Sequence, residues 1–166
     1  EYFGVTPDLA TFGKGLANGY PVSAVVGRAD VMKWMEEVFF SFTFGGETLS
    51  LAAALATMKK LQREPVIETM RTTGEAIVTG IRGLIAKHDA GDFLSVSGHP
   101  AWSFLNIKEA GGASPWIMKT LFEQEMFARG VLTLGSHNVS YAHTPEDVTA
   151  LLAAYDRVIE QLVGGV

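Results

Sequence analysis

The chain has no cysteine in its 166 residues, which excludes disulfides and thiolate chemistry and says little about compartment. No apolar run approaches the ~18 residues that a membrane-spanning helix needs. The start of the chain also lacks the basic-then-apolar order of a signal peptide. Cationic patches are missing too. Thirteen Lys and Arg stand against 18 Asp and Glu, for a net charge of −5, and the cations gather into no stripe. Neither nucleic acid nor anionic membrane is therefore expected as the main partner. The four histidines, His88, His99, His137 and His143, show no i, i+4 pairing, so no metal site is expected. Ser97, Ser136 and Ser140 lack a glycine-flanked nucleophile elbow, which argues against serine hydrolysis. The default expectation is a soluble, cytoplasmic protein.

What is present is globular: 48% hydrophobic and 19% charged residues, in a length that suits one domain with a real core. The chain opens at Glu1 without a methionine, directly in what reads as the middle of a sheet domain, so a fragment or a partial chain is expected. The stretch that organises it is residues 7–28, PDLATFGKGLANGYPVSAVVGR. Lys14 sits there between Gly13 and Gly15, after a short apolar run and before a Gly/Asn/Pro-rich turn. With so little bulk beside it, the amine is open to a flat carbonyl compound and to Schiff-base formation. The alternative is a solvated charge in a glycine loop. Asn18 stands where the last glycine of a dinucleotide fingerprint belongs, and Gly15 replaces the hydroxyl residue of a phosphate loop, so both motifs fail.

Periodicity predicts strands over residues 8–12 and 22–27, the second of them buried, then a short amphipathic helix over 30–38. The aromatic run 39–46, FFSFTFGG, is expected as a packed loop. Residues 47–63 are Ala- and Leu-rich with basic residues near the end, which suits a helix and its dipole. From Pro65 to about Lys87 apolar residues recur at three and four, predicting a long helix with Gly74, Gly80 and Gly83 as weak points. Residues 93–96 and 102–107 read as an antiparallel strand pair, and 131–134 as another short strand. Ser114-Pro115 and Thr144-Pro145-Glu146-Asp147 begin two more helices by capping and a pre-set first residue, with Gly130 stopping the first. Thr43, in a glycine-rich loop ahead of a helix, is open to two readings: an anion-binding hydroxyl near free amides, or a turn threonine capping that helix.

The segment TPDLATFGKGLANGYPVSAVVGR resembles the lysine-bearing signature of class III (subgroup II) pyridoxal-phosphate-dependent aminotransferases. SFTFGGETLSLAAALA resembles the family's threonine-aromatic-Gly-Gly element. GSHNVSYAHTPEDV, with the helix after it, resembles the small C-terminal domain of the branch containing glutamate-1-semialdehyde 2,1-aminomutase. The likeness implies an α/β architecture of fold type I: residues 1–70 as the C-terminal part of the large mixed-sheet domain, and 71–166 as the small C-terminal α/β domain. It implies pyridoxal 5'-phosphate as cofactor, Lys14 as its Schiff-base lysine and catalytic residue, and Thr43 as a ligand of the cofactor phosphate of the neighbouring subunit in a homodimer. The partners would be an amino donor and a keto or aldehyde acceptor.

Two departures bear on substrate. The family's Gly-Gly-Asn-Pro is Gly45-Gly46-Glu47-Thr48 here, and Gly135-Ser136-His137-Asn138 lacks the glutamate that the mutase carries before its Ala-His-Thr. Ser136 and His137 are then either the lining of a different substrate pocket or surface turn residues. An aminotransferase is the leading reading, with a glutamate-1-semialdehyde aminomutase and a non-catalytic dimerisation or binding fragment as alternatives. The family's aspartate for the pyridine nitrogen, its ring-stacking aromatic and its phosphate loop all precede the matched segment. The isolated 166-residue polypeptide is therefore expected to show neither the visible absorbance of a bound Schiff base nor turnover with an amino donor. Both together would overturn this.

Overall fold

A computed structural model describes residues 2–165, in two compact units divided between Pro65 and Val66. In the first unit, β1 (Leu9–Phe12) and β2 (Ala24–Gly27) form a two-stranded antiparallel sheet, with Leu9 opposite Gly27 and Phe12 opposite Ala24. The closing end is tight. A Cβ on Gly27 would collide with the Asp8 carbonyl and the Leu9 side chain, so only glycine permits this approach. Arg28 N–H bonds the Asp8 carbonyl at 3.0 Å and its guanidinium reaches the Asp8 carboxylate at 2.7 Å.

Three expectations fail in this unit for one physical reason. Val25 and Val26 of β2 are exposed, not buried, because a two-stranded sheet covers neither of its own faces. The helix expected over 30–38 splits into α1 (Ala29–Met32) and a 3-10 turn (Lys33–Glu36). Its apolar residues Trp34, Met35 and Val38 are exposed, and short helices without a packed face are marginal. The run 39–46 is not packed: Phe39, Phe40, Phe42 and Phe44 are all exposed, Phe39 at 92%. The helix expected next is α2 (Thr48–Arg63).

The second unit is a three-stranded antiparallel sheet, in the order β3 (Leu94–His99), β4 (Trp102–Ile107) and β5 (Ser136–Asn138), with helices α3 (Val66–Lys87), α4 (Pro115–Ala128) and α5 (Pro145–Gly164). The apolar spacing of α3 buries Ile77, Ile81 and Ile85, and α5 buries Tyr155, Val158, Ile159 and Leu162. With Phe122 and Met126 of α4 and Leu94 of β3 they form one core, each fully buried side chain contributing about 1.5–3 kcal/mol of hydrophobic stabilisation. The caps are as expected: Ser114 accepts from Ile117 N–H, and Thr144 and Asp147 form a reciprocal capping box.

Two strand boundaries differ from expectation. Ser97, Gly98 and His99, expected as a connector, lie within β3 opposite Phe104, Ser103 and Trp102. The strand expected over 131–134 does not form. The Thr133 hydroxyl accepts from Gly135 N–H at 3.1 Å and donates to the Ser136 carbonyl at 3.2 Å, turning the chain so that pairing starts only at Ser136. Leu132 and Leu134 are left exposed.

The three helical glycines of α3 are not equivalent. A Cβ on Gly74 would strike the Pro100 backbone carbonyl, whereas one on Gly83 meets nothing within 4 Å. Gly83→Ala should therefore stabilise the fold by ~0.5–1 kcal/mol through helix propensity, while Gly74→Ala should destabilise it by ~1–3 kcal/mol through overpacking. Urea unfolding of the two variants checks the opposite signs.

Candidate functional site

The β1–β2 closure leaves the 13–23 loop to cross from one strand to the other, and Lys14 opens it. Gly13 is extended at φ −163°. Lys14 then turns to φ +48°, a left-handed conformation that costs a non-glycine residue of order 1–2 kcal/mol. Leu16 N–H bonds the Gly13 carbonyl at 3.0 Å, closing the 3-10 turn Lys14–Leu16. Asn18 at φ +47° and Gly19 at φ +114° reverse the chain again, and Ala17 between the two reversals is buried. Strain of this kind persists where the surrounding structure fixes it, and it concentrates at functional sites. An open depression of about 440 Å³ is bordered by Lys14, Gly15, Asn18, Gly19, Tyr20 and Val22. A Cβ on Gly15 or Gly19 would meet nothing within 4 Å. The space at Gly15 and Gly19 is thus unfilled by this unit, whereas a Cβ on Gly13 would make an ordinary contact with Ser23.

Thr43 lies exposed in the turn before α2 and does not cap that helix. Glu47 does: one carboxylate oxygen accepts from Leu49 N–H at 2.8 Å and the other from Ser50 N–H at 2.6 Å. Ser50 first, then the Leu49 amide, hold the Glu47 carboxyl below its ordinary pKa. Two amides of the first turn therefore already carry an anion, and any phosphate role for Thr43 rests on its hydroxyl and the Gly45-Gly46 turn. Sequence reasoning missed Glu47 by taking it as the first helical residue. Its signal was available as an acidic side chain just ahead of the Ala/Leu-rich run.

Ser136 and His137 lie in the second unit, on β5, beside a cleft of about 610 Å³ that Thr133, Asn138, His143 and Asp147 also border. His137 is not a surface turn residue: it is 6% exposed. Its Nδ1 stands 3.0 Å from Ser103 Oγ and its Nε2 2.7 Å from Tyr155 Oη. Burial pushes His137 below its ordinary pKa, against a smaller opposing contribution from Ser103. Burial also pushes the Tyr155 phenol up. Ser103 and Tyr155 were not singled out from sequence, because on β4 and α5 they occupy positions that read as ordinary core. Among the described residues no group of three or more His, Cys, Asp or Glu is placed to hold a metal ion, and no helix is long and apolar enough to cross a membrane.

The fold is that of fold-type I transaminases. The PLP internal aldimine form of the FumI protein of Sphingopyxis sp. MTA144 matches 98% of the chain with a TM-score of 0.85 at 28% identity, the chain covering 39% of that protein. The chain belongs to the class-III aminotransferase family, whose pattern it matches over residues 1–150. The 3-aminobutyryl-CoA aminotransferase of Cloacimonas acidaminovorans is 28% identical over 93% of this chain and 37% of its own length. A glutamate-1-semialdehyde 2,1-aminomutase of Nitratidesulfovibrio vulgaris is 32% identical over 95% of the chain and 40% of its own length. The chain thus spans about two fifths of the length of these relatives.

The Glu47 cap gives a prediction that needs no ligand. Its carboxyl is lowered in the folded state, so its contribution is present above the unfolded glutamate value of about 4.3 and is lost as pH falls through the folded value. Glu47→Ala should remove exchange protection from the Leu49 and Ser50 amides at neutral pH, and wild type should lose the same protection in acid. Unchanged exchange at these two amides in the variant would exclude the cap.

Proposed function

We propose that this chain supplies the cofactor-lysine part of a pyridoxal-phosphate-dependent aminotransferase. Residues 1–70 belong on this reading to the large cofactor-binding domain and 71–166 to the small C-terminal domain. The observation that carries it is the Lys14 amine on a left-handed turn, with Gly15 and Gly19 leaving open space where any side chain would add bulk. The residues present fit the cofactor in kind: an amine for its aldehyde, a hydroxyl on a glycine turn for its phosphate, and a cradle that Cβ atoms would fill.

Lys14 Nζ would hold pyridoxal 5'-phosphate through a Schiff-base linkage, and Thr43 Oγ would donate to the phosphate of the cofactor in the neighbouring subunit of a homodimer. The bound cofactor supplies an electron sink for the substrate carbon. Lys14 Nζ would also serve as the base that takes the proton from the carbon bearing the substrate's amino group and as the acid that returns one. The left-handed backbone at Lys14 sets where its side chain leaves the main chain. Glu47 keeps a negative charge at the α2 N-terminus and so confines phosphate recognition to the Thr43 turn. Ser136, on the cleft wall, is available to a substrate, whereas His137 has both ring nitrogens committed within the fold and supports that wall from behind. The site of action is the cytoplasm.

A second reading, intramolecular amino transfer, is favoured by the aminomutase relative. Against it, the 135–138 segment carries no carboxylate. Asp147, on the cleft wall, is engaged by Thr144 N–H at 2.8 Å and by the Thr144 hydroxyl at 3.0 Å.

In the cofactor-loaded enzyme given an amino donor, a discrete keto acid should be released in step with amine transfer, which the mutase reading forbids. Lys14→Ala should lower turnover by at least ~10³-fold, general-base and nucleophilic roles together being worth that much. Retained turnover in the variant would overturn the role given to Lys14, whereas a binding or dimerisation role would survive the change.

A further inference from the structure

We infer that the buried Ser103–His137–Tyr155 chain is an acid-sensitive latch that holds strand β5, and with it one wall of the second unit's cleft, onto β4 and α5. The strand itself is weakly held. It is three residues long, lies at the sheet edge and pairs only with β4, His137 standing opposite Ser103. Two further backbone bonds flank it, Leu105 N–H to the Gly135 carbonyl at 2.7 Å and Val139 N–H to the Ala101 carbonyl at 3.1 Å. Against so short a ladder the side-chain chain matters. Ser103, His137 and Tyr155 are 0%, 6% and 0% exposed, and their two contacts cross from β4 through β5 to α5.

Neutral imidazole satisfies this arrangement, with one nitrogen donating and the other accepting, because each hydroxyl can take either role. Protonation makes both nitrogens donors. Whichever of the Ser103 and Tyr155 hydroxyls donates to the neutral ring must then accept instead, and a positive charge stands on a buried ring beside the buried Tyr155 ring. Burying a charge without a partner is costly. The two partners of the ring nitrogens, Ser103 and Tyr155, offer hydroxyls and carry no negative charge to pair with it. β4 presents Ser103, α5 presents Tyr155, whose ring also meets Phe122 of α4, and β5 itself carries Ser136 and Asn138 beside His137. The titratable groups on the cleft wall are His143 in the loop before α5 and Asp147 at the start of α5. Asp147 is held in its capping box with Thr144, and His143 Nδ1 accepts from Ser140 N–H at 3.0 Å. The other acid of α5 near this level, Asp156, is engaged by Lys87 and His88.

The sign follows from linkage. A histidine lowered in the folded state leaves stability intact above the unfolded value of about 6.5 and withdraws it as pH falls from there towards the folded value. Urea unfolding of wild type and His137→Gln between pH 8 and pH 5 tests it. Below about pH 6.5 the wild-type folding equilibrium should fall relative to the variant by up to about tenfold per pH unit. Parallel profiles would overturn the latch. Amide exchange of wild type adds a reading that simple acid unfolding would not give: Leu105 and Val139 should lose protection at a higher pH than Ile81 and Val158, and simultaneous loss would also overturn it. Should His137→Gln fail to fold, the wild-type imidazole resonances decide alone. His137 should titrate below its ordinary value in the folded protein, and titration at the ordinary value would refute the proposal.

Discussion

The contact on which the first unit depends is the close approach of Gly27 to Asp8 and Leu9. It brings β1 and β2 within backbone hydrogen-bonding distance at their closing end, and Arg28 fastens it through the Asp8 carbonyl and carboxylate. The exposed ion pair is by itself a weak fastening. The steric constraint is not, because any side chain at position 27 displaces backbone. Once the register is set, the 13–23 loop has fixed ends, and its conformation follows from what it must span. Left-handed residues at Lys14 and Asn18 and a positive φ at Gly19 turn the chain within that span. The backbone that bears the Lys14 amine is thus placed by the strand closure.

The second unit is built on the opposite principle. Its order comes from burial of α3, α4 and α5 residues against a three-stranded sheet, and Ser103, His137 and Tyr155 are buried there as a closed chain. Such a network is worth keeping when every member is satisfied and costly when one is not. It also explains why a histidine next to a cleft is unsuited to hold a ligand: its ring is already used.

Elements that carry their own packing were legible in the sequence. The α3 and α5 stripes, the Ser114 and Thr144 caps with their following prolines, and the β3–β4 pair all follow from local pattern, and the family likeness followed from the Lys14 and Thr43 segments. Elements whose form depends on something outside the local pattern were not. Residues 30–38 have helical spacing but no buried surface to hold a continuous helix, and the aromatic run 39–46 has packing residues with nothing described to pack on. At 131–134 an apolar run was a good strand candidate, and one threonine hydroxyl bonding its neighbours' backbone was enough to override it. At α2 the cap came from a glutamate, a less common capping residue than the nearby threonines. The partners of His137 were illegible because Ser103 and Tyr155 lie far from it in sequence, and only the fold brings them together.

The central claim is that the Lys14 amine is the point of cofactor attachment. Its most direct measurement is borohydride reduction of the cofactor-loaded enzyme, followed by peptide mass mapping. The account predicts a single stable pyridoxyl adduct, on the peptide containing Lys14. Adduct on another lysine, such as Lys33 or Lys59, or the absence of any reducible adduct in the loaded enzyme, would contradict it.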